Sequence, residues 1–364
     1  MDWYELEIPE LDESAGVVIY GAGRTGDFVL EHCRRLGIPC RAVLDRCPDR
    51  EKEETPFFRF PEYPAELRSL PVILAVHGEA LGAWSDLKAE GFGQVYTMSQ
   101  FYLFVENRKH EPLPNYALLG RAAEMEAHRE AIERVFSLLE DEISRENFMD
   151  QLAYRRTGRI NFLREPDPGL EYYPDNRPFD FDGPVNFVDC GAFTGDSLEE
   201  LATVLEFESV TAFEPDPQTF AALRSFLAKT CISDQVVTLQ AGVGERNEVL
   251  SFCSGLREEA KFGDGNVLVP VVAMDALFCR HKVDFIKMDI EGAEASALRG
   301  ARSVIRREQP LLAVSVYHRP EDLWELPLLM KELFPESHLF LRTPHGSFHD
   351  TVCYAVPDRF LRRS

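Results

Sequence analysis

Two stretches constrain this chain more than any others. VVIYGAGRTGDFVLEHC lies near its start and NFVDCGAFTGDSLEELA near its middle. Each runs from an apolar segment through a glycine-rich turn into a helix-like tail. A strand that feeds a helix through a tight turn opens a parallel α/β layer, so two such layers are predicted. With 364 residues, 45% of them apolar, the chain can bury two separate cores.

The remaining pattern agrees. Residues 16–105 alternate strand and helix signals, with VVIY, CRAVLD, PVILAV and QVYTM as roughly four strands, and Gly37 and Gly91 where helices stop. Residues 106–182 break that rhythm. Leu118, Met125, Ile132, Val135, Phe136 and Leu139 recur at helical spacing, and REPDPGLEYYPDNRPFDFDGP then reads as a linker or surface arm. Residues 183–364 return to alternation through VNFVDC, SVTAFE, QVVTLQ, VDFIKMD, LLAVSVY, HLFLR and TVCYAV, with EVLSFC and NVLVPVV as an extra hairpin. The short link between the last two strands predicts a parallel sheet with an antiparallel strand at its end. The fold class is α/β: two Rossmann-like domains, 1–105 and 183–364, joined by a helical connector over 106–182.

Charge narrows the partners. Asp and Glu outnumber Lys and Arg by 62 to 39, a net charge of -23. Such a field repels phosphate backbones, so no nucleic-acid partner is expected. Eight cysteines without a CxxC pair read as reduced thiols, and the acidic first residues do not resemble a signal peptide. No apolar run reaches the roughly 20 residues of a membrane span. A cytoplasmic protein without a membrane partner is expected, and a homo-oligomer is compatible with the sequence.

In the first loop, Gly21, Gly23 and Gly26 complete a G-x-G-x-x-G, and Asp45 ends the next strand where a ribose-binding carboxylate would stand. This points to a nucleotide-type domain, with NAD or a nucleotide sugar as its ligand or with a purely scaffolding role. His77 is a lone loop histidine. The second loop has another pattern: Asp189 at a strand end, then Gly191 and Gly195. An acid there suits a ligand with a positive amine, and the N–H groups opening the next helix would face that ligand. Glu214, in FEPD, takes the ribose-carboxylate position after the second strand. VDFIKMDIEGAE then delivers Lys287, Asp289 and Glu291 to the sheet edge at which open α/β sheets bind ligands.

The series DCGAFTGDS, FEPD, KMDIEGAE and YHRPEDLWELP resembles the FkbM family of S-adenosylmethionine-dependent methyltransferases, over about residues 183–356. LEDEISRENF and EYYP resemble a segment that precedes this domain in some members. The resemblance implies a class I methyltransferase fold, seven strands with a terminal antiparallel hairpin. It implies S-adenosylmethionine as cofactor, with Asp189, Gly191 and Gly195 against its methionine part and Glu214 on its ribose. Phe193, Asp196 and Ser197 of the loop, and Pro215 beside Glu214, are further expected contacts. Asp289 would stand near both sulfonium and acceptor. Cys190 departs from the family's small apolar residue, a change that a buried cysteine should tolerate.

Methyl transfer from a sulfonium is an in-line displacement, so positioning should outweigh proton transfer. The resemblance implies a hydroxyl acceptor on a small molecule or carbohydrate. An aliphatic hydroxyl is barely ionised, and a base would help. Asp289, Glu291 and His318 are the candidates. The plainer roles are a helix cap for Asp289, a first-turn acid for Glu291 and a surface group for His318. His345 and His349 read as solvated loop residues. Asp289 with Glu291 makes only a weak metal signal, and no metal is expected. Lys287 should pair with an acid, and Tyr172 and Tyr173 form either a lid or a surface arm. The alternatives are an NAD- or nucleotide-sugar-binding protein acting through the first loop, and a non-catalytic cofactor-binding module.

Overall fold

The computed structural model describes residues 3–7, 10–47, 55–76, 80–109, 122–164, 167–254, 265, 267–344 and 350–362. Leu118, His77, His345 and His349 lie outside them. The chain divides into two compact units, Met1–Ala127 with Met149–Arg164, and His128–Phe148 with Glu165–Ser364. The residues read as a connector are thus shared between the units.

The first unit is built on five parallel strands: β1 (Val17–Tyr20), β2 (Cys40–Asp45), β3 (Phe57–Arg59), β4 (Val72–Leu74) and β5 (Val95–Thr97), in the order β3-β2-β1-β4-β5. Strand β3 is one more than the sequence pattern predicts. It has only three residues, FFR, flanked by Pro56 and Pro61, too short for a period to show. β1 and β4 are buried throughout, as strands covered on both faces must be. The helix Arg24–Leu36 follows the first glycine loop and ends at Gly37, which takes the left-handed conformation.

In the second unit, a two-stranded ribbon, β6 (Gly169–Leu170) and β7 (Tyr173–Pro174), follows the helical residues of His128–Phe148. Its main sheet comprises β8 (Val185–Cys190), β9 (Phe207–Phe213), β10 (Val236–Leu239), β14 (Phe285–Met288), β15 (Leu311–Ser315), β16 (His338–Arg342) and β17 (Val352–Val356). The order is β10-β9-β8-β14-β15-β17-β16. Strands β11 (Gly242–Val243), β12 (Glu248–Phe252) and β13 (Val267–Val272) form a small separate sheet, in which β12 and β13 are the expected extra hairpin. The antiparallel strand is not at the sheet's end, as the sequence pattern suggests. β17 pairs antiparallel with both β15 and β16, which leaves β16 at the edge. Its run VCYAV is buried at every position, which suits an interior place.

Connections reverse direction between β8 and β14. The chain leaves β8 toward β9 and β10 and returns to β14 on the other side. Such a switch opens a crevice at the carboxyl ends of the strands. Local sequence then shapes that rim. Asp216 caps the helix Pro217–Leu227 by accepting from the N–H groups of Gln218 and Thr219, with proline at its first position. Phe187 packs on Phe207 and Phe285 behind β8. All eight cysteines are free, and buried Cys190 touches Met274 sulfur at 3.9 Å, packing as a small hydrophobe. Among the described residues, no helix is long and apolar enough to cross a membrane.

One glycine gives a direct test. A Cβ on Gly26 would stand 1.8 Å from the carbonyl oxygen of Gly21. Gly26→Ala must therefore push the helix Arg24–Leu36 off the end of β1. The expected cost is about 1–3 kcal/mol. Hydrogen exchange should show protection falling in Val17–Tyr20 and Arg24–Leu36, while β8 and β14 keep theirs.

Candidate active site

The parallel register of β8 and β14 sets Lys287 directly across from Asp189. Lys287 Nζ stands 3.1 Å from Asp189 Oδ1 and donates to the carbonyl of Gly191 at 2.6 Å. Both side chains are buried. Burial alone would lower the lysine, but the carboxylates of Asp189, Asp289 and Glu171 hold it above its usual range. Burial raises Asp189, with Lys287 opposing. Asp189 Oδ2 is buried with no hydrogen-bond partner. Gly191 has φ +86°, and a Cβ there would lie 1.9 Å from the carbonyl oxygen of Asp289. Only glycine lets the two strand ends approach this closely.

Glu214, at the end of β9, fastens the same loop. Its Oε2 accepts from the Phe193 N–H at 3.0 Å and its Oε1 from the Asp216 N–H at 2.8 Å. Phe193 is held in the left-handed region at φ +45°. Burial pushes the Glu214 carboxyl up to about 7, against the two N–H donors. Pro215 follows in the rim. Gly195 stands at φ +100° before the helix Asp196–Leu201, where Asp196 is exposed and Ser197 buried.

Asp289 lies just past the end of β14. Tyr172 Oη donates to its Oδ2 at 2.9 Å and Tyr317 Oη to its Oδ1 at 3.2 Å. His318 Nε2 stands 3.1 Å from Asp289 Oδ1 and 3.8 Å from Glu291 Oε2, and its Nδ1 stands 2.9 Å from Glu294 Oε1. Burial would raise Asp289, yet His318, Lys287 and Tyr172 hold it below the usual carboxylate range. Burial would lower His318, but Glu294 and Asp289 raise it well above its ordinary value. A carboxylate held this low accepts a proton poorly, and a ring with an acid facing each nitrogen is poorly placed to take one from an acceptor.

The plainer roles weighed for these residues do not describe this arrangement. The helix Glu294–Gly300 is capped at Ala293 with no side-chain cap, so Asp289 is not its cap. Glu291 precedes that helix and sits at φ +55°. His318 is a buried side chain, not a surface one. Tyr172 and Tyr173 belong to the core cluster and do not form a surface arm. Two participants were not singled out from sequence, Tyr317 and the fully buried Glu294, which also accepts from the Ile290 N–H at 2.9 Å. Glu294 was within reach, since it ends the KMDIEGAE run.

The first loop solves its local problem in the same way. Asp45 Oδ2 accepts from the Ala22 N–H at 2.7 Å and Oδ1 from the Cys47 N–H at 2.8 Å. Gly21, at φ +115°, and Gly26 are packed against backbone, whereas a Cβ on Gly23 would meet nothing within 4 Å. The two loops differ in their surroundings. Among the described residues, the fully buried carboxylates are Asp189, Glu214, Asp216, Asp284, Glu294 and Asp322, all in the second unit.

Two measurements follow from these pairings. Lys287→Met leaves Asp189 buried and unpaired, and a loss of about 3–5 kcal/mol is expected in denaturant unfolding of this unit. Glu214 ionises near 4.5 when unfolded but near 7 when folded. Between those values the fold binds the extra proton, so this group's contribution is complete below pH 4.5 and lost as pH rises through 7. The stability of wild type minus that of Glu214→Gln should fall by roughly 3 kcal/mol between pH 4 and pH 8. A flat difference would contradict the shift.

Comparison with known proteins converges on the same region. Residues 189–343 match the family model described as the methyltransferase FkbM domain. In fold, the chain is similar to a methyltransferase FkbM from Methylobacillus flagellatus KT, at 24% identity and TM-score 0.75, covering 93% of this chain and 89% of that one. Aeropyrum pernix fibrillarin with bound S-adenosyl-L-methionine is a distant match, at 9% identity and TM-score 0.32 over 48% of this chain and 67% of that one. No curated protein matches in sequence. The motifs DCGAFTGDS, FEPD and KMDIEGAE all begin within the matched segment, so the match to the methyltransferase FkbM domain over residues 189–343 falls on the residues that carry the sequence resemblance.

Proposed function

We propose that the second unit is an S-adenosylmethionine-dependent O-methyltransferase, acting on a hydroxyl of a small-molecule or carbohydrate-type acceptor. The observation that carries this reading is the gathering of Asp189, Glu214 and Asp289 at one sheet edge, flanking the switch between β8 and β14. The residues suit the cofactor. Asp189 Oδ2 is a buried acceptor without a partner, as a ligand's ammonium group requires. Gly191 and Gly195, both at positive φ, let the loop backbone turn tightly over the strand ends. Glu214 offers a carboxylate for ribose hydroxyls at the end of the second strand. Bound here, the cofactor supplies a methyl group on a sulfonium, which needs no further activation.

The chain's own contribution is then placement. Lys287 fixes Asp189 and the Gly191 carbonyl, so the loop is set before any ligand arrives. Asp289 is fixed by two tyrosine hydroxyls and His318. Its stabilised charge favours a role in orienting an acceptor hydroxyl and balancing the positive centre over one as a strong base. Orientation can supply about 7–11 kcal/mol of a displacement barrier, so a modest base suffices. Glu291, half exposed beside this cluster, is the acid open enough to receive a proton.

S-adenosylhomocysteine titrated into the purified chain should bind with micromolar affinity. Glu214→Ala removes a charged acceptor and should weaken binding at least about tenfold, in line with 1.5–3 kcal/mol for such a bond. Asp189→Asn should weaken it similarly. Wild type that ignores S-adenosylhomocysteine but is stabilised by NAD(H) would sink this reading in favour of Gly21, Gly23, Gly26 and Asp45. Binding without turnover on any acceptor would favour a non-catalytic module.

A further inference from the structure

The cluster around His318 has features that pairing alone does not satisfy. Asp289, Glu294 and His318 bring one oxygen from each acid and one ring nitrogen to within 4.8 Å of one another. His318 is nine-tenths buried, with 7% of its side chain exposed. Asp289 and Glu294 lie at ion-pair distances from its two nitrogens, yet neither nitrogen makes a hydrogen bond of proper geometry. Glu294 is fully buried, and its Oε2 has no hydrogen-bond partner. Buried donors and acceptors left in this state are costly, and native proteins fill such sites with a water or an ion.

Charge selects between these. Asp289 and Glu294 are acids, and Glu291 Oε2 adds a third at 3.8 Å from the ring. Lys287, whose charge acts on Asp289, is already engaged with Asp189 and Gly191. Ligands of one ion at about 2.0–2.2 Å stand about 3–4 Å apart, so the three side chains need only a small contraction. Two carboxylates with one imidazole form a mixed oxygen–nitrogen set, which suits Mn²⁺ or Zn²⁺ better than Ca²⁺. Tyr172 and Tyr317, hydrogen-bonded to Asp289, would orient that ligand from behind, as outer partners of metal-bound carboxylates do.

The geometry points to a divalent transition-metal site formed by Asp289, Glu294 and His318, with Glu291 at its rim. It is a property of the cluster and needs neither cofactor nor acceptor. On the methyl-transfer reading, which it deepens, an ion here would bind an acceptor hydroxyl beside Asp289.

The test uses the full chain, stripped with a chelator and titrated with Mn²⁺ alone. One ion per chain is expected, at micromolar affinity. Glu294→Gln and His318→Gln should each weaken it at least tenfold, with circular dichroism verifying that they fold. A second readout needs no variant: bound Mn²⁺ in protein labelled with ¹⁵N-histidine should show nitrogen coupling in pulsed electron paramagnetic resonance. Absence of binding, binding indifferent to both variants, or bound Mn²⁺ without nitrogen coupling would overturn the site and leave His318 a plain imidazolium between two acids. S-adenosylhomocysteine is absent from this experiment, so its failure and a failure of cofactor binding are separate results.

Discussion

The ion pair between Lys287 and Asp189 is the contact on which the rest of the second unit's rim depends. It joins the two strands on either side of the topological switch, at matched register, with both groups buried. Removing two charges from water is expensive, and apolar residues of the same size would often be as stable. The pair is better understood through what it fixes. Lys287 also holds the Gly191 carbonyl, and Gly191 sits so close to the Asp289 carbonyl that no side chain fits between. One ammonium thus sets the positions of two strand-end acids and the loop between them.

From that point the arrangement spreads outward in layers. Glu214 reaches over from β9 to hold Phe193, and through Asp216 it adjoins the cap of the next helix. On the other side, Asp289 is gripped by Tyr172 from the segment ahead of the sheet and by Tyr317 from just past β15. Each carboxylate at this edge is positioned by groups from a different part of the chain. Such a site cannot assemble until the sheet has formed.

Much of this was legible in the sequence because strand-end acids and glycine turns carry their reasons locally. Asp189, Glu214 and Asp289 each follow an apolar run, and parallel sheets bring the carboxyl ends of such runs to one edge. The partners were harder to see. Tyr172 lies 117 residues from Asp289, and its neighbourhood is rich in proline and acids. Read locally, that composition fits a surface arm or a lid equally well, and only tertiary packing makes the tyrosine a buried donor. Strand β3 eluded the pattern because three residues contain no period. The interior place of β17 eluded it because a hairpin fixes which strands are neighbours along the chain, not which of the two takes the edge.

The two glycine loops that stand out in the sequence turn out to share one device. In each, an acid ending the second strand turns back to accept N–H groups from the glycine loop and from its own turn: Asp45 from Ala22 and Cys47, Glu214 from Phe193 and Asp216. The device is therefore a way of holding a turn, and it does not by itself mark a working site. What separates the loops is the charge buried around them. Asp45 is partly exposed and, among the described residues, has no fully buried carboxylate in its unit, whereas Glu214 shares its edge with Asp189, Lys287 and the Asp289 cluster. Buried charge is kept where chemistry needs fixed fields, since stability alone would discard it. By that criterion the second loop is the one whose surroundings resemble a reaction site, whereas the first has the same turn-holding acid with open space above Gly23.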